Sequence, residues 1–196
     1  MTAKEEFIDL LQGTGRAGID KVIVGLEALG FFTAPASTKF HGSEPGGLLA
    51  HSLNVYQEAR VLREVQIRFR PDLEPRLPAE SVVIAALLHD VCKAEIYHEI
   101  EKFRKDANNQ WEKYKTYGVD YSAFPLGHGE KSVIRLLRWG LDLTEDEILA
   151  IRWHMHAWDL ADSPEARANL TAAGDKCPLL AIIIAADGLA SRILES

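Results

Sequence analysis

The feature that most constrains this chain is a run of aliphatic residues that ends in a histidine and an aspartate. Residues 82–88 read VVIAALL and have no polar side, and His89 and Asp90 follow directly. A helix that is apolar on every side is buried in a protein core. A buried histidine and a buried charged aspartate need partners, because an unpaired charge away from water is costly. The partners of His89 and Asp90 must therefore come from other parts of the chain.

The rest of the chain predicts an all-α fold, a helical bundle with one short irregular or hairpin insertion. The predicted helices cover residues 4–12, 18–29, 48–69, 78–96, 128–139, 144–155, a short stretch from 163, and 178–194. Residues 97–127 have no helical period, and Asn108-Asn109 predicts the turn of a short hairpin. We interpret this insertion as a lid.

Length and composition restrict the class of protein. The 196 residues, 47% of them hydrophobic, fit one domain in which residues 1–39 form N-terminal helices that pack on the core. The net charge of −7 argues against nucleic acid as a partner, because duplex binders carry a basic face. We find no apolar leader, no membrane-spanning run and no disulfide framework, and therefore expect a cytoplasmic protein without a membrane partner. The oligomeric state stays open, and a homo-oligomer is one alternative.

Two other predicted helices carry polar residues on their apolar faces. His51 lies on the side of its helix that bears Leu48 and Val55, and Asp187 lies among the alanines and isoleucines of the last helix. Imidazole nitrogens and carboxylate oxygens together suit Mn, Fe, Co, Ni or Zn. A single buried histidine is more often a hydrogen-bonded core residue than a ligand. Inward-facing polar residues on three separate helices nevertheless favour a metal site.

The order of these residues resembles the HD superfamily of metal-dependent phosphohydrolases. The resemblance rests on GGLLAHSLNV around His51, AALLHDVCKAE around His89 and Asp90, and AIIIAADGLASRI around Asp187, and it covers about residues 40–195. Within this superfamily, the chain resembles most the HD module of bacterial 3′-to-5′ exoribonucleases. It has no region that could form the OB-fold of those enzymes. The resemblance implies that these four residues bind a divalent transition metal.

Departures from the family pattern narrow the implied activity. Relatives often read His-Asp-x-Gly-Lys, whereas Cys92 stands at the glycine position and Lys93 is kept. No Gly-Tyr-Pro follows, which argues against the cyclic-di-GMP phosphodiesterases. The implied activity is hydrolysis of a phosphate ester, in a nucleotide or another small phosphorylated metabolite, by a metal-bound hydroxide. A metal-stabilised regulatory or ligand-binding module without turnover stays an alternative, and a nuclease for short RNA or DNA is a weaker one.

Two further histidines follow the His-Asp pair in chain order. His128 begins one predicted helix and His154 ends another, and in larger branches of the superfamily two such histidines hold a second metal. The resemblance therefore implies one or two ions, with Asp90 as the bridge in a dinuclear site. In the alternative, one ion binds and the two histidines contact the phosphate directly. Glu130 and Lys131 are expected on the solvated surface.

Three cations are candidates for the substrate side of the site. Lys93 follows Asp90 by three residues, and together they are the predicted catalytic pair, in which Asp90 binds metal and Lys93 balances charge on the phosphate. His41 precedes the loop before the His51 helix and is predicted to contact phosphate or to cap that loop. Lys115 lies among the aromatic residues of segment 111–121, which either stack on a base or form a small hairpin core.

Overall fold

Helices make up most of the structure, a computed structural model that describes residues 1–40, 42–156 and 162–195. The α-helices are α1 (Ala3–Gly13), α2 (Ile19–Leu29), α3 (Gly47–Phe69), α4 (Ala79–Leu88), α5 (Lys93–Ile96), α6 (His128–Arg138), α7 (Glu145–Trp153), α8 (Pro164–Lys176) and α9 (Pro178–Leu189). Tighter 3-10 turns cover Phe31–Thr33 and Pro71–Arg76, and a wider π-helical turn covers Ala190–Leu194. The predicted helical bundle is confirmed.

The insertion contains the predicted hairpin, so the fold is all-α only approximately. Strand β1 (Tyr97–Lys105) pairs antiparallel with β2 (Trp111–Val119) in a continuous register without a bulge. Asn109 adopts a left-handed φ of 61° in the connecting turn, a conformation that asparagine tolerates better than most residues. Trp111 and Tyr121 do not contribute to a hairpin core, because they are 69% and 59% exposed, whereas Tyr114 and Tyr117 are half-buried.

The core lies where α3 packs against both α4 and α9, and where α7 packs against α6 and α9. Ile84 and Leu87 of α4 and Ile183 of α9 are fully buried, as their apolar surroundings in the sequence predict. Helix α1 contacts α3 and α4 and contributes Phe7 and Leu11, which are also fully buried. Because α4 and α9 lie inside the bundle, polar residues at their ends lie inside the protein too.

The helix predicted over residues 78–96 is wrong in one respect, since α4 ends at Leu88. His89 is its C-cap, and the chain makes an irregular turn before it enters the single helical turn of α5. Helix α7 likewise ends at Trp153, earlier than predicted, and His154 is its C-cap. Two of the predicted site histidines, His89 and His154, therefore lie at the C-terminal ends of helices.

A buried ion pair ties the N-terminal segment to α7. Glu147 is fully buried, and each of its carboxylate oxygens accepts a hydrogen bond from the Arg16 guanidinium at 2.8 Å. The Ser81 hydroxyl donates to the same carboxylate at 2.7 Å, and the Thr144 N–H donates at 2.8 Å. The capping box predicted from Thr144 and Glu147 is confirmed. Each oxygen accepts two hydrogen bonds, so the buried charge is compensated, and the network joins α4, α7 and the α1–α2 loop.

Among the described residues, no single helix has the length and apolar composition needed to cross a membrane. Helix α8 and the stretch Pro178–Leu194 meet both requirements only as a pair, and the pair is bent by 101°.

Gly129 sets the close approach of α6 to the end of α7. A Cβ at this position would lie 2.2 Å from the carbonyl oxygen of Arg152. We expect Gly129→Ala to lower the free energy of unfolding by about 1–3 kcal/mol, because backbone atoms must separate to admit the methyl group. Urea denaturation measures this. Gly174→Ala is the control, since nothing lies within 4 Å of a Cβ there, and it should gain up to about 1 kcal/mol. Equal losses in both variants would contradict the steric explanation.

Candidate metal centre

Asp90 lies at the centre of a buried cluster of histidines and is itself only 1% exposed. Its Oδ2 atom lies 3.3 Å from Nε2 of His89 and 3.6 Å from Nε2 of His51. Its Oδ1 atom lies 2.5 Å from Nε2 of His128 and 3.3 Å from Nε2 of His154. The carboxylate therefore has imidazole rings at both of its oxygens, and those rings come from four different parts of the chain.

Asp187 adds a second carboxylate at the same nitrogen of His51 that faces Asp90. Its Oδ1 atom lies 3.3 Å from Nε2 of His51, at the edge of the cluster where its side chain is 23% exposed. Two triads have ligand atoms within 4.8 Å of one another: His51 with His89 and Asp187, and His89 with Asp90 and His154. The structure thus brings the predicted ligands together around His89, and their role as ligands stays a prediction.

His89 and His154 are held in the same way by the helices that they end. Nδ1 of His89 lies 2.8 Å from the carbonyl oxygen of Ala86, and Nδ1 of His154 lies 2.8 Å from that of Ile151. A carbonyl oxygen only accepts, so each Nδ1 carries the proton and each Nε2 has a bare lone pair. Among the described residues, neither Nε2 atom has a hydrogen-bond partner, although both are buried. A cation at Asp90 would satisfy both lone pairs.

His51 is held by Glu195, a residue that the sequence did not single out. Nδ1 of His51 lies 3.1 and 3.2 Å from the two Glu195 oxygens, one of which also accepts from the Asn54 amide at 2.9 Å. A carboxylate behind a metal-binding histidine fixes its tautomer and increases its basicity. Glu195 reaches His51 through the π-helical turn, since the extra residue in that turn brings it to the side of the helix that carries Asp187. No residue pattern in the sequence signals this turn.

Charges within the cluster stabilise one another. Burial opposes ionisation of Asp90, but the charge of Lys93 and the contact with His128 hold its pKa well below the ordinary value. Nζ of Lys93 lies 2.5 Å from Oδ2 of Asp90, and this contact raises the lysine pKa despite its burial. Burial alone would lower the pKa of His51, but hydrogen bonds to Asp187 and Glu195 raise it to about 9.

Of the other predicted residues that the structure describes, Lys115 does not join the cluster. Lys115 is exposed on β2, pairs with Glu99 at 2.8 Å, and lines a separate cavity of about 530 Å³ between the hairpin and the loop around residues 38–45. His41 lies outside the described residues. The surface position predicted for Lys131 is wrong, because the residue is 1% exposed and its Nζ lies 5.9 Å from the centre of the Phe124 ring.

Two cavities open in front of the cluster. One has a volume of about 1050 Å³ and is lined on its inner side by His51. The other has a volume of about 850 Å³ and is lined on its inner side by Lys93 and Asp187. Phe40 and Arg192 line both. Within the part of the chain that the structure describes, no residue of the hairpin strands lines either cavity, and the lid function of the insertion stays a prediction.

A comparison of the chain with models of protein families identifies its family. The model of the HD domain family matches residues 48–192, from α3 through α9. The chain belongs to the HD domain family. The matched part of the HD domain contains every clustered histidine and both carboxylates, whereas Glu195 lies just beyond it. Comparisons with curated proteins and with solved structures gave no match. The family match singles out no branch, so the likeness to the exoribonuclease module stays a prediction.

The donor atoms of this HD domain fit a divalent transition metal. HD domains bind divalent metals, and the cluster offers imidazole nitrogens with bare lone pairs beside carboxylate oxygens. The hydrogen bonds at Nδ1 hold the rings in orientations that present Nε2 to the centre of the cluster. The choice among Mn, Fe, Co, Ni and Zn stays a prediction, as does the number of ions.

Removing Glu195 should weaken metal binding without touching a ligand atom. We expect Glu195→Ala to lower the affinity for Mn²⁺ about 10- to 100-fold, because His51 loses the acceptor that fixes its Nδ1 proton. Isothermal titration calorimetry measures the affinity. The control is Glu99→Ala, which removes an exposed carboxylate on the hairpin and should leave the affinity unchanged. Equal affinities for all three proteins would exclude the positioning role of Glu195.

Metal binding should also depend on pH in a defined direction. A proton and a metal ion compete for Nε2 of His51, whose pKa is raised to about 9 in the metal-free protein. Below that pKa the imidazolium must lose its proton before it binds, so the affinity for Mn²⁺ should rise between about pH 6 and about pH 8. Calorimetry in two buffers with different heats of ionisation measures the protons released. Binding without proton release at about pH 7 would contradict this assignment.

Proposed function

We propose that this HD domain is a metal-dependent phosphohydrolase that cleaves a phosphate ester of a nucleotide or another small phosphorylated metabolite. The observation that carries the proposal is the convergence of imidazole lone pairs with the carboxylates of Asp90 and Asp187 beside an open cleft. A divalent ion bound there would lower the pKa of a water molecule and neutralise charge on the phosphoryl oxygens. Membership of the HD domain family supports the same chemistry.

Two cations of this chain are placed to hold the phosphate. Lys93 lies against Asp90 and lines the cavity of about 850 Å³, and Arg192 is exposed where the two cavities meet. A phosphoryl group is anionic, and its charge shifts toward the leaving oxygen as the ester bond breaks. Fixed cations beside it orient the group and stabilise that developing charge. We assign Lys93 to the reacting phosphate, because it lies nearer the cluster, and Arg192 to the entrance of the cleft.

The walls of the cleft favour a substrate with an organic part as large as a nucleoside. Phe40 is 79% exposed and lines both cavities, and an exposed aromatic face can stack on a base. Ala181 and Ile184 add an apolar wall to the cavity of about 850 Å³. Binding cavities of roughly 300–1,000 Å³ accept ligands of this size. A bare phosphate would leave most of the cleft unfilled.

Screening phosphorylated metabolites against the purified protein, with Mn²⁺, Co²⁺ or Ni²⁺ added, tests the proposal. We expect release of phosphate or of a nucleoside product from one group of nucleotides, without any partner protein. Ligand binding without turnover across the whole set would favour the regulatory or ligand-binding module. Cleavage of short oligonucleotides in place of mononucleotides would favour the nuclease.

Lys93→Ala should separate catalysis from metal binding. We expect turnover to fall about a hundredfold, because one fixed charge at the phosphoryl group is lost. The metal content should stay near that of the wild type, since an ammonium group cannot bind a cation. Steady-state kinetics and metal analysis measure the two effects. The control is Lys113→Ala on the hairpin, where an exposed lysine pairs with Glu101. Loss of metal in Lys93→Ala would mean that Lys93 mainly holds Asp90 in place.

A further inference from the structure

The second half of α3 carries a line of apolar side chains that faces solvent. Val61 is 46% exposed, Val65 is 37% exposed and Phe69 is 74% exposed. Residues four apart are neighbours on a helix surface, so the three side chains form one stripe along the outer side of α3. The inner side of the same helix holds Val55 and Ala59, which are fully buried in the bundle. Helix α3 is therefore apolar on a side that the core does not use.

Valine is a poor choice for an exposed position on the helix of a monomer. Its branched side chain has a lower helix propensity than the arginine, lysine, glutamate or glutamine that exposed helix positions usually carry. Single apolar residues on a protein surface are ordinary, but here two valines stand one turn apart and an exposed phenylalanine follows one turn later. An aligned apolar set of this kind is typical of a surface that packs against another protein.

Two charged residues lie at equal distances from the middle of this stripe. Position 63 is midway between Val61 and Val65, and Glu58 precedes it by five residues while Arg68 follows it by five. At 3.6 residues per turn, Glu58 lies about 60° and Arg68 about 20° around the helix from Val61, so both share the outer side. Within the part of the chain that the structure describes, neither side chain forms an ion pair. The stripe thus has one unpaired charge of each sign, one on each side of its midpoint.

A second copy of α3 in antiparallel orientation complements this arrangement. A two-fold axis at the height of position 63 places each residue opposite the one at the same distance on the other side of the midpoint. Val61 then meets Val65 of the second copy, and Glu58 meets Arg68 of the second copy. The two-fold axis repeats both contacts, so there are two ion pairs between the copies. In a parallel pair, Glu58 would meet Glu58 and Arg68 would meet Arg68, and these like charges repel.

The contact lies away from the candidate metal centre. Val61 follows His51 by ten residues on α3, which is about 15 Å along the helix axis. Gln57 and Phe69, which the two-fold axis places opposite each other, bound a contact about 18 Å long. One helix from each copy over this length makes a small interface, so we expect a dissociation constant of about 10–100 µM.

We propose that this HD domain forms a symmetric homodimer through α3, with Val61, Val65 and Phe69 as the apolar contact and Glu58 and Arg68 as ion pairs between the copies. The proposal does not depend on the phosphohydrolase function. None of these residues belongs to a triad of the metal centre or lines either cavity in front of it.

Analytical ultracentrifugation of the full-length protein between about 1 and about 500 µM tests the proposal. We expect a reversible change from monomer to dimer. Val61→Asp should weaken the dimer at least about tenfold, because the contact would bury a carboxylate. The control is Val24→Asp on α2, where valine is 68% exposed, and its dissociation constant should equal that of the wild type. Circular dichroism checks that both variants are folded. A wild type that stays monomeric, or a Val61→Asp variant that dimerises like the wild type, overturns the proposal.

Reversing the charges tests the antiparallel pairing. Glu58→Arg and Arg68→Glu each place like charges opposite one another twice, so each should weaken the dimer at least about tenfold. The double variant restores opposite charges across an antiparallel contact and should recover most of the affinity. An equimolar mixture of the two single variants should form a heterodimer for the same reason. A double variant as weak as the single variants would show that the two charges do not meet, and the proposal would be wrong.

Discussion

The buried carboxylate of Asp90 requires compensating positive charge, and the rest of the structure is arranged to provide it. Lys93 lies 2.5 Å from one oxygen, and the imidazole of His128 lies 2.5 Å from the other. Removing a partner from a buried charge is strongly destabilising, since the remaining charge has no access to water. Lys93 is a local partner, whereas His51, His128 and His154 reach the same carboxylate from α3, α6 and the end of α7. The packing of these helices therefore decides how the buried charge is surrounded.

The histidines around Asp90 are oriented by two different means. For His89 and His154 the backbone of the preceding helix fixes the proton on Nδ1, and no side-chain substitution can remove a carbonyl group. Nδ1 of His51 instead faces the Glu195 carboxylate and Nδ1 of His128 faces the Cys92 thiol, so a side-chain substitution can change these contacts while the fold is kept. The rings held by the backbone present their Nε2 lone pairs to the centre of the cluster, so their orientation depends on the helices alone.

Most of the site could be predicted from the sequence, because burial and helical period are local properties. The apolar run before His89, and the apolar faces that carry His51 and Asp187, showed which polar residues must turn inward. The hairpin was predicted from its turn residues, although its exposed aromatic rings and the remote position of Lys115 were not. Strand faces that do not pack on the bundle leave no burial pattern from which their environment could be inferred.

By itself the sequence determined that several helices direct histidines and aspartates into a common core, since each helix reveals its inner face through its own periodicity. Only the tertiary structure decided how those side chains meet. The break after Leu88, the π-helical turn that brings Glu195 to His51, and the contact of Cys92 with His128 have no periodic signal. Each depends on local winding or on the distance between helices that are remote in the chain. Those distances are set by the close packing of the whole core, to which every helix contributes.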